Sequence, residues 1–187
     1  MKTAQEFSSG NIIKMGDDVF FILKATFNKS GRNAAVMKFK LKNVITGQIK
    51  EEVVKAGDKF DDIRLDKKAM QFLYEMDGDY NFMDQETFDQ IALRKEDLED
   101  APKYLVEEMV IDVLFYEGKP VGIELPTTVE REVTYTEPGL RGDTTGKVMK
   151  PATIETGYEL QVPLFVNIGD VIKIDTRNGE YVERVNK

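Results

Sequence analysis

Between Ala35 and Lys42 apolar and cationic residues alternate, Met37, Phe39 and Leu41 against Lys38, Lys40 and Lys42. A period of two puts the sets on opposite faces of an extended strand, leaving three lysines on one face. A helix would mix them. Along the rest of the chain helical periodicity is nearly absent. Short apolar or alternating runs recur between Gly, Asn and Asp turns, which predicts an all-β protein of small barrels or sandwiches.

The runs fall into three sets. The first holds Ile12-Ile13 before a turn at Met15-Gly16-Asp17, then Val19 to Leu23, Ala35 to Leu41, and a hairpin around Thr46-Gly47 joining Val44–Ile49 to Glu52–Val54. Five short strands in this stretch fit an SH3-like barrel. The second set opens near Asp66, where Met70, Phe72 and Tyr74 alternate, Asp77-Gly78-Asp79 turns and Tyr80 to Met83 returns. The Asp/Gly pair is favoured turn chemistry for a hairpin. Residues 94–100 hold one helical turn at most and otherwise read as a polar loop. A further hairpin turns at Glu117-Gly118-Lys119, between Val110–Phe115 and Val121–Leu125, and Pro126 stops the pairing because it has no N–H to donate. The third set starts at Val129 to Tyr135, crosses a Gly/Thr-rich loop at 136–150 and resumes at Gly157. It continues with Leu160 to Val166, Asp170 to Asp175 and Glu180 to Arg184. The second and third sets each suggest an oligonucleotide/oligosaccharide-binding (OB) barrel. The expected domains are 1–64, 65–127 and 128–187. Barrels this small bury little core, so neighbours should pack on one another or be joined stiffly.

The 187 residues include no Cys, His or Trp. Disulfides, Cys/His zinc sites, Cys nucleophiles and His-containing triads are excluded. The commonest proton shuttle at neutral pH is missing too, so any acid–base chemistry would need displaced carboxylates, Lys or Tyr. The sequence offers no recognisable catalytic residue, metal site or cofactor motif, and none is expected. Met1 to Glu6 has no apolar signal-peptide core, and no apolar run approaches the ~18 residues of a membrane span. The expectation is a soluble, cytoplasmic protein with no membrane partner.

Net charge is −8, yet it is unevenly spread: residues 1–64 carry 12 Lys/Arg and 8 Asp/Glu, and the remainder carries 14 and 26. Between Asp18 and Glu51 there is no acid, while Lys24, Lys29, Arg32, Lys38, Lys40, Lys42 and Lys50 occur. Such a stretch could merely keep a strand edge soluble. Seven cations without one acid point instead to a polyanion partner held by one end of the molecule, since the acidic remainder repels phosphate.

Other motifs dissolve on inspection. Gly142 to Lys147 has three residues between its glycines and Val148 after the lysine, so it is not a phosphate loop. Arg141-Gly142-Asp143 is a coincidental adhesion tripeptide. Asp77-x-Asp79-x-Asn81 opens like a calcium loop, but Phe82 and Phe88 stand where Gly and Glu are required, and a hairpin turn explains it. The pairs Asp17-Asp18, Asp61-Asp62 and Glu107-Glu108 would point to opposite faces of an extended chain.

The loop Phe27 to Ala34 is more informative. It joins two predicted strands, and small Ser30, Gly31 and Ala34 flank Arg32, so the tip can enter a narrow space. Guanidinium is always charged and presents a fixed fork of donors suited to phosphate and ribose.

Over its whole length the chain resembles the bacterial elongation factor P family. The residues that carry the resemblance are Phe7 to Gly16, Lys29 to Asn43, Tyr80 to Asp84, Val121 to Thr128 and Tyr135 to Lys147. To these add Lys150-Pro-Ala152, Gly157, Leu160-Gln-Val-Pro163, Phe165, Gly169-Asp170, Asp175-Thr176 and Tyr181 to Arg184. The resemblance implies an L-shaped, tRNA-like monomer built from a KOW/SH3-like barrel and two OB barrels. It implies binding to the bacterial (70S) ribosome between the peptidyl-tRNA and exit sites, and stimulation of peptide bond formation at polyproline stalls. On that basis Lys29, Ser30, Gly31, Arg32, Asn33, Lys38, Lys40 and Lys42 would contact peptidyl-tRNA and rRNA. Gly142, Asp143 and Thr144 would face the exit-site mRNA codon. Arginine rather than lysine at the tip resembles the branch modified by an arginine rhamnosyltransferase, with Arg32 the rhamnosylated residue. An elongation factor P-like paralogue also carries a tip arginine. A sequence-independent single-strand binder built on OB barrels is the alternative of another class, and the acidity of the second and third sets opposes it.

Overall fold

The computed structural model describes residues 1–31, 34–139 and 148–185. Within them the chain is all-β, with three antiparallel sheets. The first holds β1 (Lys2–Thr3), β2 (Ile12–Met15), β3 (Asp18–Asn28), β4 (Val36–Asn43), β5 (Ile49–Lys55) and β6 (Lys59–Ile63), in the order β1-β6-β2-β3-β4-β5. It has six strands where five were expected. The added ones are the two-residue β1 and the charged β6, neither of which shows apolar alternation. Val44 and Ile45, expected in a strand, lie in the turn instead, where the Asn43 side chain accepts the Ile45 and Thr46 amides at 2.9 and 3.0 Å.

The second sheet runs β11-β10-β7-β8-β9, with β7 (Asp66–Met76), β8 (Asp79–Met83), β9 (Gln90–Arg94), β10 (Val110–Tyr116) and β11 (Lys119–Glu124). Its β7–β8 hairpin turns through Asp77 and Gly78 at φ 54° and 85°, the left-handed pair that matches strand twist. The expected helical turn is α1 (Lys95–Leu98). The third sheet runs β14-β13-β12-β15-β16, with β12 (Thr128–Thr136), β13 (Met149–Ile154), β14 (Glu159–Pro163), β15 (Val171–Asp175) and β16 (Glu180–Arg184). Strand β13 corrects the expectation that pairing resumes only at Gly157. Pro151 hid it, yet Pro151 carries no inward side chain: Lys150, Ala152 and Ile154 are the buried residues of that strand.

The run Val19–Leu23 is buried at every position. A strand buried on both faces has to be apolar throughout, and each face here serves a separate core. Phe20 and Ile22 join Phe7, Ile13, Met37, Phe39 and Leu41 inside the first sheet. Val19, Phe21 and Leu23 join Ile12 and, from the second sheet, Leu114 and Val121. The first two sheets therefore share a core. The chain divides into two compact units, Met1–Glu99 with Glu107–Glu124, and Asp100–Val106 with Leu125–Lys187. In the second unit the short segment around Tyr104 is tied down by polar bonds. Arg131 donates to the Tyr104 carbonyl and Thr156 to that of Lys103, while the Tyr104 ring meets Tyr158 edge-on at 5.8 Å.

Candidate nucleic-acid interface

Strands β3 and β4 pair from Phe20↔Asn43 out to Asn28↔Val36. Beyond Leu23 the hairpin leaves the shared core, and Lys24, Thr26, Phe27 and Asn28 are exposed. Its connection presents Lys29, Ser30 and Gly31 to solvent, with Gly31 at φ 53° and nothing within 4 Å of where a Cβ would stand. Arg32 and Asn33 lie outside the described residues. The base is fixed by the Ala56 amide, which donates to the Ala35 carbonyl at 2.9 Å. A loop of small residues on a long two-stranded arm can approach a crowded partner without bringing the barrel with it.

The lysines of β4 lie as the alternation requires, with Met37, Phe39 and Leu41 buried behind them. Folding, however, brings acids to them that are distant in sequence. Lys38 pairs with Glu51 at 2.8 Å, Lys40 with Glu99 at 2.5 Å and Lys42 with Asp97 at 2.6 Å. Lys38 and Glu51 stay exposed, at 46% and 61%, whereas Lys42 is 19% exposed and Asp97 only 5%. The hydrogen bond from Lys38, and then its charge, hold the Glu51 carboxyl below its ordinary value. Lys50 pairs with Glu52 at 3.2 Å and covers the Phe20 ring at 4.5 Å. The acid-free stretch is thus partly neutralised in space. Lys24 and Lys29 form no ion pair among the described residues.

Gly142, Asp143 and Thr144 also lie outside the described residues, between β12 and β13. The base of that connection is held firmly. Buried Lys150 donates to the Glu137 carbonyl at 2.6 Å, Thr136 to that of Pro151 at 2.9 Å, and a Cβ on Gly139 would stand 2.8 Å from the Leu164 carbonyl oxygen.

The largest pKa displacements among the described residues carry groups away from neutrality. Lys68 and backbone amides lower Asp84 to about 2, and Arg177 lowers Asp175 to about 2. Burial pushes Tyr104 up to about 12. These groups keep one protonation state through neutrality, unlike a general acid or base, which works best with a pKa near the operating pH. Asp97 and Glu99, which pair with Lys42 and Lys40, and Gly122, against which Phe21 packs, are not among the site residues that the sequence suggests. Only Gly122, an isolated glycine in a strand pattern, carries a local signal, since such glycines mark close approach.

Comparison with known proteins accounts for nearly the entire chain. Residues 3–60 match the family model "Elongation factor P (EF-P) KOW-like domain", residues 65–123 match "Elongation factor P (EF-P) OB domain", and residues 129–184 match "Elongation factor P, C-terminal". The chain is 62% identical to elongation factor P of Fusobacterium nucleatum over 187 residues, covering 100% of both chains. It is 55% identical to that of an Azoarcus species over 99% of this chain and 100% of the relative, and 53% identical to that of Bordetella petrii over 100% of each. The three antiparallel sheets are accordingly a KOW-like domain followed by two OB domains. With end-to-end identity at this level and a match in each sheet, the chain belongs to the elongation factor P family and is a cytoplasmic translation elongation factor, not an enzyme.

Proposed function

We propose that this factor binds the ribosome between the peptidyl-tRNA and exit sites, and that loop 29–33 steadies the acceptor end of peptidyl-tRNA when consecutive prolines stall peptide bond formation. The observation that carries the reading is the arm: a buried strand that continues as an exposed hairpin ending in Lys29, Ser30 and Gly31. Family membership supplies the ribosome and tRNA as partners. The chemistry remains the ribosome's. Aligning reactants is worth up to roughly 7–11 kcal/mol in favourable intramolecular systems. Relieving a ~100-fold stall takes only about 2.7 kcal/mol.

Arg32 is assigned the acceptor-end contact and is the residue rhamnosylated by an arginine rhamnosyltransferase; its Ser30-Gly31-Arg32-Asn33 setting supports this. A sugar there lengthens the reach and adds hydroxyl donors and acceptors. Lys29 and Lys38 meet rRNA or tRNA phosphate. Lys40 and Lys42 lie on the same face, where Glu99 and Asp97 offset their charge. Gly142, Asp143 and Thr144 face the exit-site codon, and the factor acts as a monomer. The domain borders lie near 64/65 and 127/128, a placement supported by the gaps between Ile63 and Asp66 and between Glu124 and Thr128.

The test is Arg32→Ala in a reconstituted translation assay on a polyproline template. Rescue is lost while the circular dichroism spectrum and melting temperature stay those of the parent; undiminished rescue defeats the assignment. Intact-mass analysis of protein from its native host should find one deoxyhexose on the peptide bearing Arg32.

A further inference from the structure

We infer that Gly122, with Phe21 and the Lys42–Asp97 pair, is a positioning residue: it sets the angle at which the second sheet carries the β3–β4 arm, and so where the tip arrives. The inference rests on the tip reading above.

The joint is built from both sheets. Phe21, 3% exposed, projects from β3 across the shared core onto β11. There it lies so close to the backbone that a Cβ on Gly122 would stand 2.5 Å from the ring Cζ and 2.6 Å from Cε1. A methyl at those distances overlaps the ring, so the ring, packed among Ile12, Leu114 and Val121, or the strand that carries the methyl has to shift. The second contact acts beside it. Lys42 reaches from β4 to Asp97 on α1, and Lys40 reaches to Glu99 just past the end of α1. The Asp97 Oδ1 atom has no hydrogen-bond partner among the described residues, so Lys42 is what compensates that buried carboxylate. One contact forbids added bulk and the other draws the sheets together, and between them the angle is fixed.

Because Phe21 and Asn28, after which the tip loop begins, belong to one strand, the joint has leverage. From Phe21 to Asn28 an extended chain spans ~23 Å at ~3.3 Å per residue, so a tilt of ~5° at the ring moves the arm's end by ~2 Å. Displacements of ~1 Å can cost on the order of 100-fold in reactions that depend on alignment.

The experiment uses the full chain. Gly122→Ala adds one methyl and keeps an ordinary backbone conformation, and Phe21→Leu removes the ring atoms it would strike. Residual dipolar couplings of backbone amides report the relative orientation of the first two sheets. The rate of proline–proline bond formation, titrated with factor, separates maximal rate from half-saturating concentration. In Gly122→Ala the couplings shift to a new orientation, and the maximal rate falls by about 10- to 100-fold while the half-saturating concentration stays within about twofold. In the double variant Gly122→Ala/Phe21→Leu both readouts return toward the parent. Asp97→Asn, which crowds nothing, gives a smaller change in the same two readouts should Gly122→Ala fail to fold. Unchanged couplings in whichever variant folds, or changed couplings with the parental rate, overturn the inference. A separate arm with Arg32→Ala distinguishes the two readings. If that variant remains active while Gly122→Ala is slow and reoriented, the tip assignment fails and the role of the joint stands.

Discussion

Lys38 and Lys42 sit on the same face of β4, one turned toward the tip and the other toward the joint, and their surroundings differ in kind. Around Lys38 the surface is open, and its partner Glu51 is as exposed as itself. Around Lys42 the short helix α1 closes in, and Asp97 is almost wholly removed from water. The chemistry of the two side chains is identical. Their environments decide that one charge is available to an outside polyanion while the other is consumed holding the protein together. A factor that works by placement needs both: an end whose internal pairs stay in water, and a mount whose partners leave it no choice of angle.

The sharpest way to break that contrast is to remove Lys42. Lys42→Met keeps most of the aliphatic stem and leaves Asp97 buried without a cation, a loss of about 2 kcal/mol given the usual penalty for stranding a buried polar group. Urea unfolding followed by fluorescence or circular dichroism reads it directly. A midpoint equal to the parent's would mean that Asp97 is solvated in the joint and that the two lysines are equivalent after all.

Where the tip and the joint lie was unequally legible in the sequence. The strict alternation of Met37–Lys42 announces a one-sided strand, and the structure has it. The unbroken apolar run Val19–Leu23 announces a strand, and the reason it is unbroken, a core on each face, is a property of the assembled sheets. Turns at Asp77-Gly78 and Glu117-Gly118 are local chemistry and were readable as such. By contrast, β6, charged at three of its five positions, and β9, a five-residue strand without strict alternation, are defined by the neighbours they pair with more than by their own composition. The acid-free stretch misled about surface charge because ion pairs form across sequence distance: Lys40 and Glu99 are separated by 59 residues. A count along the chain cannot register a carboxylate that arrives from a distant segment, here α1 and the residue after it. Tyr104 and Leu105, outside every strand read from the sequence, are buried as well.

Acid separates the body from the tip by another route. The Lys68 ammonium, then the Glu86 amide at 2.8 Å and that of Thr87 at 3.3 Å, stabilise the ionised form of Asp84 and lower it from 3.8 to about 2. A carboxyl with a depressed folded value contributes stability that is complete above its unfolded value and is lost as the pH falls through the folded one. The loss should therefore run from about pH 4 down to about pH 2, joined by Asp175, which Arg177 lowers similarly. Thermal melts across that range should fall less steeply for Asp84→Asn than for the parent, and parallel curves would show the pair to be ineffective. Loop 29–33 contains no acid, so nothing in it titrates in this window.

The smallest expected effect on stability is the most telling about the exposed end. An ion pair with both members in water adds little, because screening and side-chain entropy offset its attraction. Lys38→Gln should leave the melting temperature unchanged. If Lys38 meets phosphate as proposed, the same substitution should still weaken ribosome binding, and the slope of log affinity against log salt should drop by about one. Lys42→Met should do the reverse, lowering stability and leaving that slope alone, since its charge is already spent on Asp97. Equal slopes for parent and Lys38→Gln would remove Lys38 from the interface. A reduced slope for Lys42→Met would show that RNA competes with Asp97 for the lysine, and that the joint opens when the factor binds.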